Sequence, residues 1–316
     1  MYISQIPGLL RKGEDPLIIQ ILTVKAVLFL WRVIALTPTF ILYFLADIIT
    51  WLLYHARFMH MHKLLDEQLL KCLPELSDKE RRRIKKRHLR LWGEYMVDYI
   101  KMVTITPKKI KEKIKYNNIE LLQSLLEEKQ YVCCYCAHMM GFEFFVGLPL
   151  WLNGYGMSCF YLSSTYEPHH PVDKWIRDWR AQFGARPIST TGSLRGILNF
   201  KHEVENGTSP YKGFVIGSLG EMEPQGNGSQ ATMRFFGHKT EMLVGTEIIA
   251  RKLNAAFVYA HIKHTKRGHY EVDFVELKPQ FANEDPLSHT REFVKEMERN
   301  IKAQPEMWLY WGQKRV

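Results

Sequence analysis

The segment His138-Met139-Met140-Gly141-Phe142-Glu143 sets an imidazole and a carboxylate five positions apart, where the apolar run YVCCYCAH gives way to MMGFEFFVGLPLWL. A histidine whose ring is held by a carboxylate is suited to general-base work. The carboxylate accepts the imidazole N–H, fixes the tautomer and stabilises the imidazolium, leaving the other nitrogen to take a proton from an attacking hydroxyl. On a continuous helix five residues rotate through about 140°, so the two side chains would not meet. A strand-to-helix junction turning at Gly141 lets them converge, with Glu143 on the imidazole N–H. The start of such a helix also offers backbone N–H groups to an oxyanion or a phosphate. His and Glu at this spacing recur often by chance, and the spacing alone favours a structural histidine.

The elements around this segment read as a buried strand from Tyr131 feeding a helix, with further strands at Ser158 to Leu162, Phe214 to Leu219, Phe257 to Ile262 and Tyr270 to Leu277. Helical stretches lie between them at Trp175 to Phe183, Gly192 to Asn206, Glu241 to Leu253 and Arg291 to Ile301. This alternation implies an α/β fold, a sheet covered by helices on both faces. Earlier in the chain, Ser77-Asp78-Lys79-Glu80 is a capping box that opens a helix. The first turns of that helix carry Arg81, Arg82, Arg83, Lys85, Lys86, Arg87 and Arg90, while Ile84, Leu91, Trp92, Tyr95, Tyr99 and Val103 share its apolar side. Cations near a helix N-terminus oppose the macrodipole, a local cost that a binding role for Arg82, Lys86 and Arg90 would explain; a solvated, solubilising face is the alternative.

From Val33 to Tyr54 the chain is apolar over about the length that crosses a bilayer core, yet it contains Asp47. A carboxylate at mid-membrane costs about 2.5 to 3.5 kcal/mol. A helix lying in or dipping into the cytoplasmic leaflet, with Asp47 facing protein or headgroups, reconciles the two. A core hairpin broken at Pro38 is the other reading. The chain therefore divides into an attachment segment, residues 1–63, and a catalytic domain, residues 64–316.

The 316 residues carry a formal net charge of +10, which calls for an anionic partner without choosing among nucleic acid, membrane and acidic protein. Aromatics do not interleave with the basic run as nucleic-acid binding requires. Cys72, Cys133, Cys134, Cys136 and Cys159 form no CxxC pair, which fits reduced core thiols, and Cys133 and Cys134, as neighbours on a strand, point to opposite faces, which argues against a zinc site. His261, His264 and His269 about a turn, and His169 and His170 beside prolines, read as exposed loop histidines, with metal binding as the alternative. Without a GxGxxG or Walker loop no nucleotide cofactor is expected, and without a GxSxG elbow Ser218 is no acyl-enzyme nucleophile.

The HMMGFE segment resembles the HxxxxD/E motif of the glycerolipid acyltransferase superfamily, and specifically that of the late lipid A acyltransferases. LADIITWLLYHARF, CLPELSDKE and LWGEYMVDYIK resemble that family's N-terminal region. IRDWRAQFGARPI, TGSLRGILNFKHEVENG, MRFFGHKTEMLVGTEIIARKLNAAFVY and PEMWLYWGQKRV follow in the family's order. The resemblance covers most of the chain. It implies a mixed sheet flanked by helices, an acyl carrier protein thioester as donor, a hydroxyl of a lipid A precursor as acceptor, and direct transfer without metal or cofactor at the cytoplasmic face of the inner membrane. By position it makes His138 and Glu143 the dyad about Gly141, and Arg180, with Arg177 as the competing choice, the contact to an anionic group. The structural alternative for the arginine is a pair with Asp178 or another surface acid. Where relatives carry Asp-Gln, this chain reads Gly220-Glu221-Met222-Glu223-Pro224, so Glu221 stands in for the Asp. Where they carry His-Arg-Arg it has Gly312-Gln313-Lys314. These departures open the acceptor to another lipid (an aminolipid, a lysophospholipid or a polyene pigment lipid), or the function to a catalytically silent membrane-bound binding protein.

Overall fold

The computed structural model describes residues 17–56, 60–161, 171–190, 192–221, 229–280 and 284–312. Met222, Gln313, Lys314, His169 and His170 lie outside them.

The chain opens with α1 (Leu17–Leu36), α2 (Thr39–His55), α3 (His60–Cys72) and α4 (Asp78–Lys101). The single helix expected over residues 33–54 is replaced by a bent pair: proline disfavours helix at the residue before it and lacks the N–H to continue one, so the chain breaks at Thr37-Pro38 and turns through 107°. No single helix among the described residues is long and apolar enough to cross a membrane. The inward face of α2 (Leu42, Tyr43, Ala46, Thr50) packs on α4, where a Cβ on Gly93 would lie 2.5 Å from Thr50 Cγ2. Its other face leaves Phe40, Phe44, Ile48, Trp51 and Leu52 in solvent, and Phe29, Leu30 and Leu36 of α1 do the same. Contiguous exposed apolar surface of this kind marks an interaction face. Asp47 faces protein, 2.9 Å from Arg267.

Next come α5 (Pro107–Lys113), β1 (Ile114–Tyr116), α6 (Ile119–Lys129), β2 (Tyr131–Tyr135), a 3-10 helix over Phe142–Trp151, β3 (Gly156–Tyr161), α7 (Pro171–Ala181), β4 (Ala185–Ser189) and α8 (Ser193–Glu205). The remainder comprises β5 (Phe214–Ser218), β6 (Gln230–Phe235), β7 (His238–Leu243), α9 (Gly245–Lys252), β8 (Ala256–Lys266), β9 (His269–Glu276), α10 (Ser288–Ala303) and short 3-10 helices at Pro305–Met307 and Leu309–Gly312. A seven-stranded sheet runs β1-β9-β8-β2-β5-β3-β4, parallel except where β8 meets β9. All five residues of β2 are buried, which is why its sequence is a continuous apolar run and not an alternation.

Three expectations are corrected. The residues after His138 form a 3-10 helix and not an α-helix. The helix expected from Glu241 begins at Gly245, because residues up to Leu243 belong to a separate two-stranded hairpin, β6–β7. Its turn is Phe236-Gly237, both at positive φ (48° and 79°), the geometry usually announced by Asn-Gly. His261, His264 and His269 lie in β8 and β9 rather than in a loop, and His261 Nε2 is 2.8 Å from Glu296. Among the described residues no group of three or more His, Cys, Asp or Glu could hold a metal ion.

The capping box forms as read: Ser77 N–H donates to Glu80 Oε2 (2.8 Å) and Glu80 N–H to Ser77 Oγ (3.3 Å). The basic face behind it is less costly than its sequence implies. Arg81 pairs with Asp78 (2.5 Å), Lys85 with Asp66 (2.7 Å), Arg87 with Glu306 (2.9 Å) and Arg90 with Glu94 (3.3 Å). Arg82 and Lys86 are exposed, and the Lys86 ammonium sits 6.0 Å above the Tyr54 ring at the end of α2.

On the opposite face of α4, buried His88 lies with Nδ1 2.9 Å from the Glu306 carbonyl, tying the helix to the C-terminal segment that reaches the site. Burial lowers the His88 pKa to about 4 from an ordinary 6.5. The unfolded chain therefore binds the extra proton between those values, and stability rises with pH across the window. Wild type is expected to lose about 3 kcal/mol more than His88→Gln as pH falls from 6.5 to 4, measured by urea unfolding at each pH. Parallel pH profiles for the two proteins would refute a neutral buried His88.

Candidate active site

Two neighbouring parallel strands bring the central pair together. Tyr135 of β2 is in register with Ser218 of β5, and Cys136 N–H donates to the Ser218 carbonyl at 3.0 Å. His138 and Glu221 each lie three residues beyond those partners, at the carboxyl edge of the sheet where α/β folds place ligands. His138 Nδ1 is 3.0 Å from Glu221 Oε1, and the same oxygen accepts the His138 backbone N–H. Both side chains are buried, Glu221 completely. Burial alone would raise the Glu221 pKa; the His138 charge and these hydrogen bonds outweigh it and hold the carboxyl below the ordinary range.

With Nδ1–H given to Glu221, Nε2 is the bare nitrogen, and it is buried with no hydrogen-bond partner. The rings of Phe142 and Tyr310 meet the imidazole edge-on, each with centroids 4.9 Å away. The C-terminal block fixes the backbone: Leu309 N–H donates to the His138 carbonyl (2.9 Å) and Met140 N–H to that of Met307 (2.8 Å).

Glu143 is not the acceptor of the imidazole N–H. That place is filled by Glu221, because β5 delivers its carboxylate from the neighbouring strand while Glu143 is carried away on the 3-10 helix. Glu143 Oε1 accepts a hydrogen bond from Tyr95 of α4, and Oε2 is buried without a partner. Burial raises the Glu143 pKa to about 7, against the opposing pull of the Tyr95 hydrogen bond and the charges of Arg180 and His138. The carboxyl therefore lies within the electrostatic reach of the imidazole. Two N–H groups at this helix start are taken up, since Phe142 donates to the Met139 carbonyl (3.0 Å) and Phe144 to that of Gly141 (3.1 Å).

Arg180 approaches from α7, donating to the Phe160 carbonyl of β3 at 3.3 Å, and its buried Nε has no partner. Arg177 is exposed on the same helix, and Asp178 pairs with Lys174 (2.5 Å) instead of with an arginine. The structure thus gathers His138, Glu143, Glu221 and Arg180 and leaves Arg177, Arg82, Lys86 and Arg90 outside. Tyr95, Phe142 and Tyr310 were not singled out as site residues by the sequence. Tyr95 meets Glu143 across 48 positions, a separation at which no spacing rule operates.

Gly141 makes the turn at φ +96°, and a Cβ there would fall 2.6 Å from the Tyr270 ring. That ring cannot retreat freely, because Tyr270 OH donates to buried Asp98 at 3.1 Å. A left-handed alanine costs about 1–2 kcal/mol before any clash. Gly141→Ala is expected to lower stability by at least that amount and to abolish most activity, whereas Gly245→Ala, which meets nothing within 4 Å, leaves both near wild type. Equal melting temperatures for the two variants would show that the turn is not constrained.

Comparison with curated proteins gave no match. The family model of bacterial lipid A biosynthesis acyltransferases matches residues 13–315. That span takes in both strands of the His138–Glu221 pair, the Arg180 helix and the C-terminal block, and so the chain belongs to the bacterial lipid A biosynthesis acyltransferase family.

Proposed function

We propose that this acyltransferase moves a fatty acyl chain from an acyl carrier protein thioester to a hydroxyl of a lipid A precursor, in one direct step with His138 as general base. The observation that carries the reading is the bare, buried Nε2 of His138 opposite an Nδ1 held by Glu221. The acceptor hydroxyl gives its proton to Nε2 as its oxygen attacks the thioester carbonyl. The carbon–sulfur bond then breaks, and the departing sulfur takes the proton back from the imidazolium. Ester and free thiol result, with no proton lost or gained. Glu221 fixes the tautomer that leaves Nε2 open. Glu143 is the second catalytic carboxyl, stabilising the imidazolium while it is ionised, and Arg180 with its unpartnered Nε suits an anionic oxygen of donor or acceptor.

Purified protein given an acyl carrier protein thioester and a hydroxyacylated glycolipid phosphate is expected to form the ester. General-base catalysis contributes about 10²–10⁴-fold, so His138→Ala should lose that much. Glu221→Gln should fall nearly as far, and the His138→Ala/Glu143→Gln double variant no further than His138→Ala alone. Losses that multiply would exclude a coupled unit, and full activity in His138→Ala would end the reading. A product formed only with another lipid would favour a changed acceptor, as the Met222 and Gln313-Lys314 departures suggest.

The exposed apolar faces of α1 and α2 support attachment to the cytoplasmic leaflet of the inner membrane, and the cations of α4 support docking of the acidic carrier. Placing Lys86 over Tyr54 puts part of the basic face next to the apolar one, so lipid headgroups compete for it. Reversing Arg82, Lys86 and Arg90 to glutamate is expected to slow transfer from the carrier-bound donor while sparing transfer from a short pantetheine thioester. Equal loss with both donors would rule out carrier docking. Loss of binding to anionic vesicles alone would assign the patch to the membrane.

A further inference from the structure

Among the described buried groups around His138, the phenol of Tyr95 has no place in the mechanism above. It lies on α4, far from the motif in sequence, is 4% exposed, and donates its hydroxyl proton to Glu143 Oε1. The carboxyl has few other anchors. Its Oε2 has no partner, and the 3-10 helix that carries it begins at a glycine without a side-chain cap. A Glu side chain has several rotatable bonds, and besides the Tyr95 hydroxyl only its own backbone N–H donates to this carboxyl.

We propose that Tyr95 is a positioning residue for acyl transfer: its hydroxyl holds Glu143 Oε1 and favours the ionised carboxylate that the imidazolium needs. This rests on the reading of Glu143 as a catalytic carboxyl. A hydrogen bond donated to a carboxylate stabilises its charged form, and in a buried site little else can. The groups facing Glu143 are few. His138 and Arg180 favour its ionised form, whereas Cys136 lies near it just past the end of β2 and Tyr99 and Tyr270 flank the Tyr95 phenol. Burial places the Glu143 titration at about 7, so a modest change in this one bond alters the fraction ionised at neutral pH. The phenol itself stays protonated, its pKa pushed well up by burial and by the Glu143 charge.

Tyr95→Phe keeps the ring and removes the bond. The acid limb of the kcat profile is expected to move up by about one pH unit, so that turnover at pH 6.5 falls several-fold to roughly tenfold. Turnover at pH 9 should stay within about twofold of wild type, with KM little changed. In a Glu143→Gln background the same substitution should add nothing, because the group it acts through is gone. Tyr116→Phe removes a buried hydroxyl that has no partner and serves as the control for losing a core phenol. Should Tyr95→Phe fold poorly, 3-fluorotyrosine at position 95 strengthens the donor without changing shape and is expected to move the limb down. An unmoved limb in either variant, or a uniform loss at every pH, overturns the proposal. Full activity and an intact limb in Glu143→Gln would instead overturn the role of Glu143, leaving the Tyr95 bond a structural one.

Discussion

A carboxylate with no solvent exposure, Glu221, is the constraint on which the site depends. Isolated burial of such a charge costs several kcal/mol, so it persists only where donors converge on it. Here one residue supplies two of them, the backbone N–H and the ring of His138. The pairing is reciprocal. Glu221 stays ionised because His138 is there, and His138 keeps one tautomer and one orientation because Glu221 is ionised. The register of β2 against β5 makes the meeting possible, since a slip of one residue would turn one of the two side chains to the other face.

The other half of the site hangs from α4. Within a few turns that helix bonds the Glu306 carbonyl through His88, admits α2 at Gly93, holds Arg267 through Glu94 (3.0 Å at Nε) and reaches Glu143 through Tyr95. Asp98 completes the series by accepting from Tyr43 of α2 (2.8 Å), Lys113 (3.3 Å) and Tyr270 (3.1 Å). Burial raises the Asp98 pKa, with Lys113 and the two phenols pulling against it. Tyr270 in turn closes on Gly141, the turn residue of the motif. A path of buried polar contacts and close packing thus joins the exposed apolar helix α2 to the strand-to-helix turn beside His138. The same helix that seats the apolar pair also holds Glu143, the carboxyl beside His138, through Tyr95.

The arrangement also explains how a basic chain carries its charge without disrupting the fold. Four of the seven cations at the start of α4 are matched by acids, two of them buried: Glu306 in the C-terminal block and Glu94 on α4 itself. The helix dipole is opposed by fewer free charges than the sequence suggests, and Asp78 and Glu80 in the first turn favour it.

Local chemistry was legible in the sequence. Period and composition located β2, β3, β5, β8 and β9 and helices α4, α7, α8 and α10, the capping box marked the start of α4, and Pro38 marked a break in the alternative reading of residues 33–54. Resemblance of ordered blocks named the family. Signals failed where an element was short or its turn unconventional: β1 has three residues and β4 five, and the β6–β7 hairpin turns on Phe-Gly, so the end of its second strand, residues 241–243, was read as helix. Contacts within the motif were also misjudged, for a reason that is physical. Spacing constrains only neighbours on one element, whereas the acceptor for His138 comes from β5, 83 positions away, and the donor for Glu143 from α4, 48 positions away. Which carboxylate faces which nitrogen was settled by strand order and register, and these follow from packing the whole sheet at once. The sequence determined which chemical groups the site could contain, and only the tertiary structure decided that Glu221 orients the imidazole while Glu143, buried beside Tyr95, is held apart from its N–H.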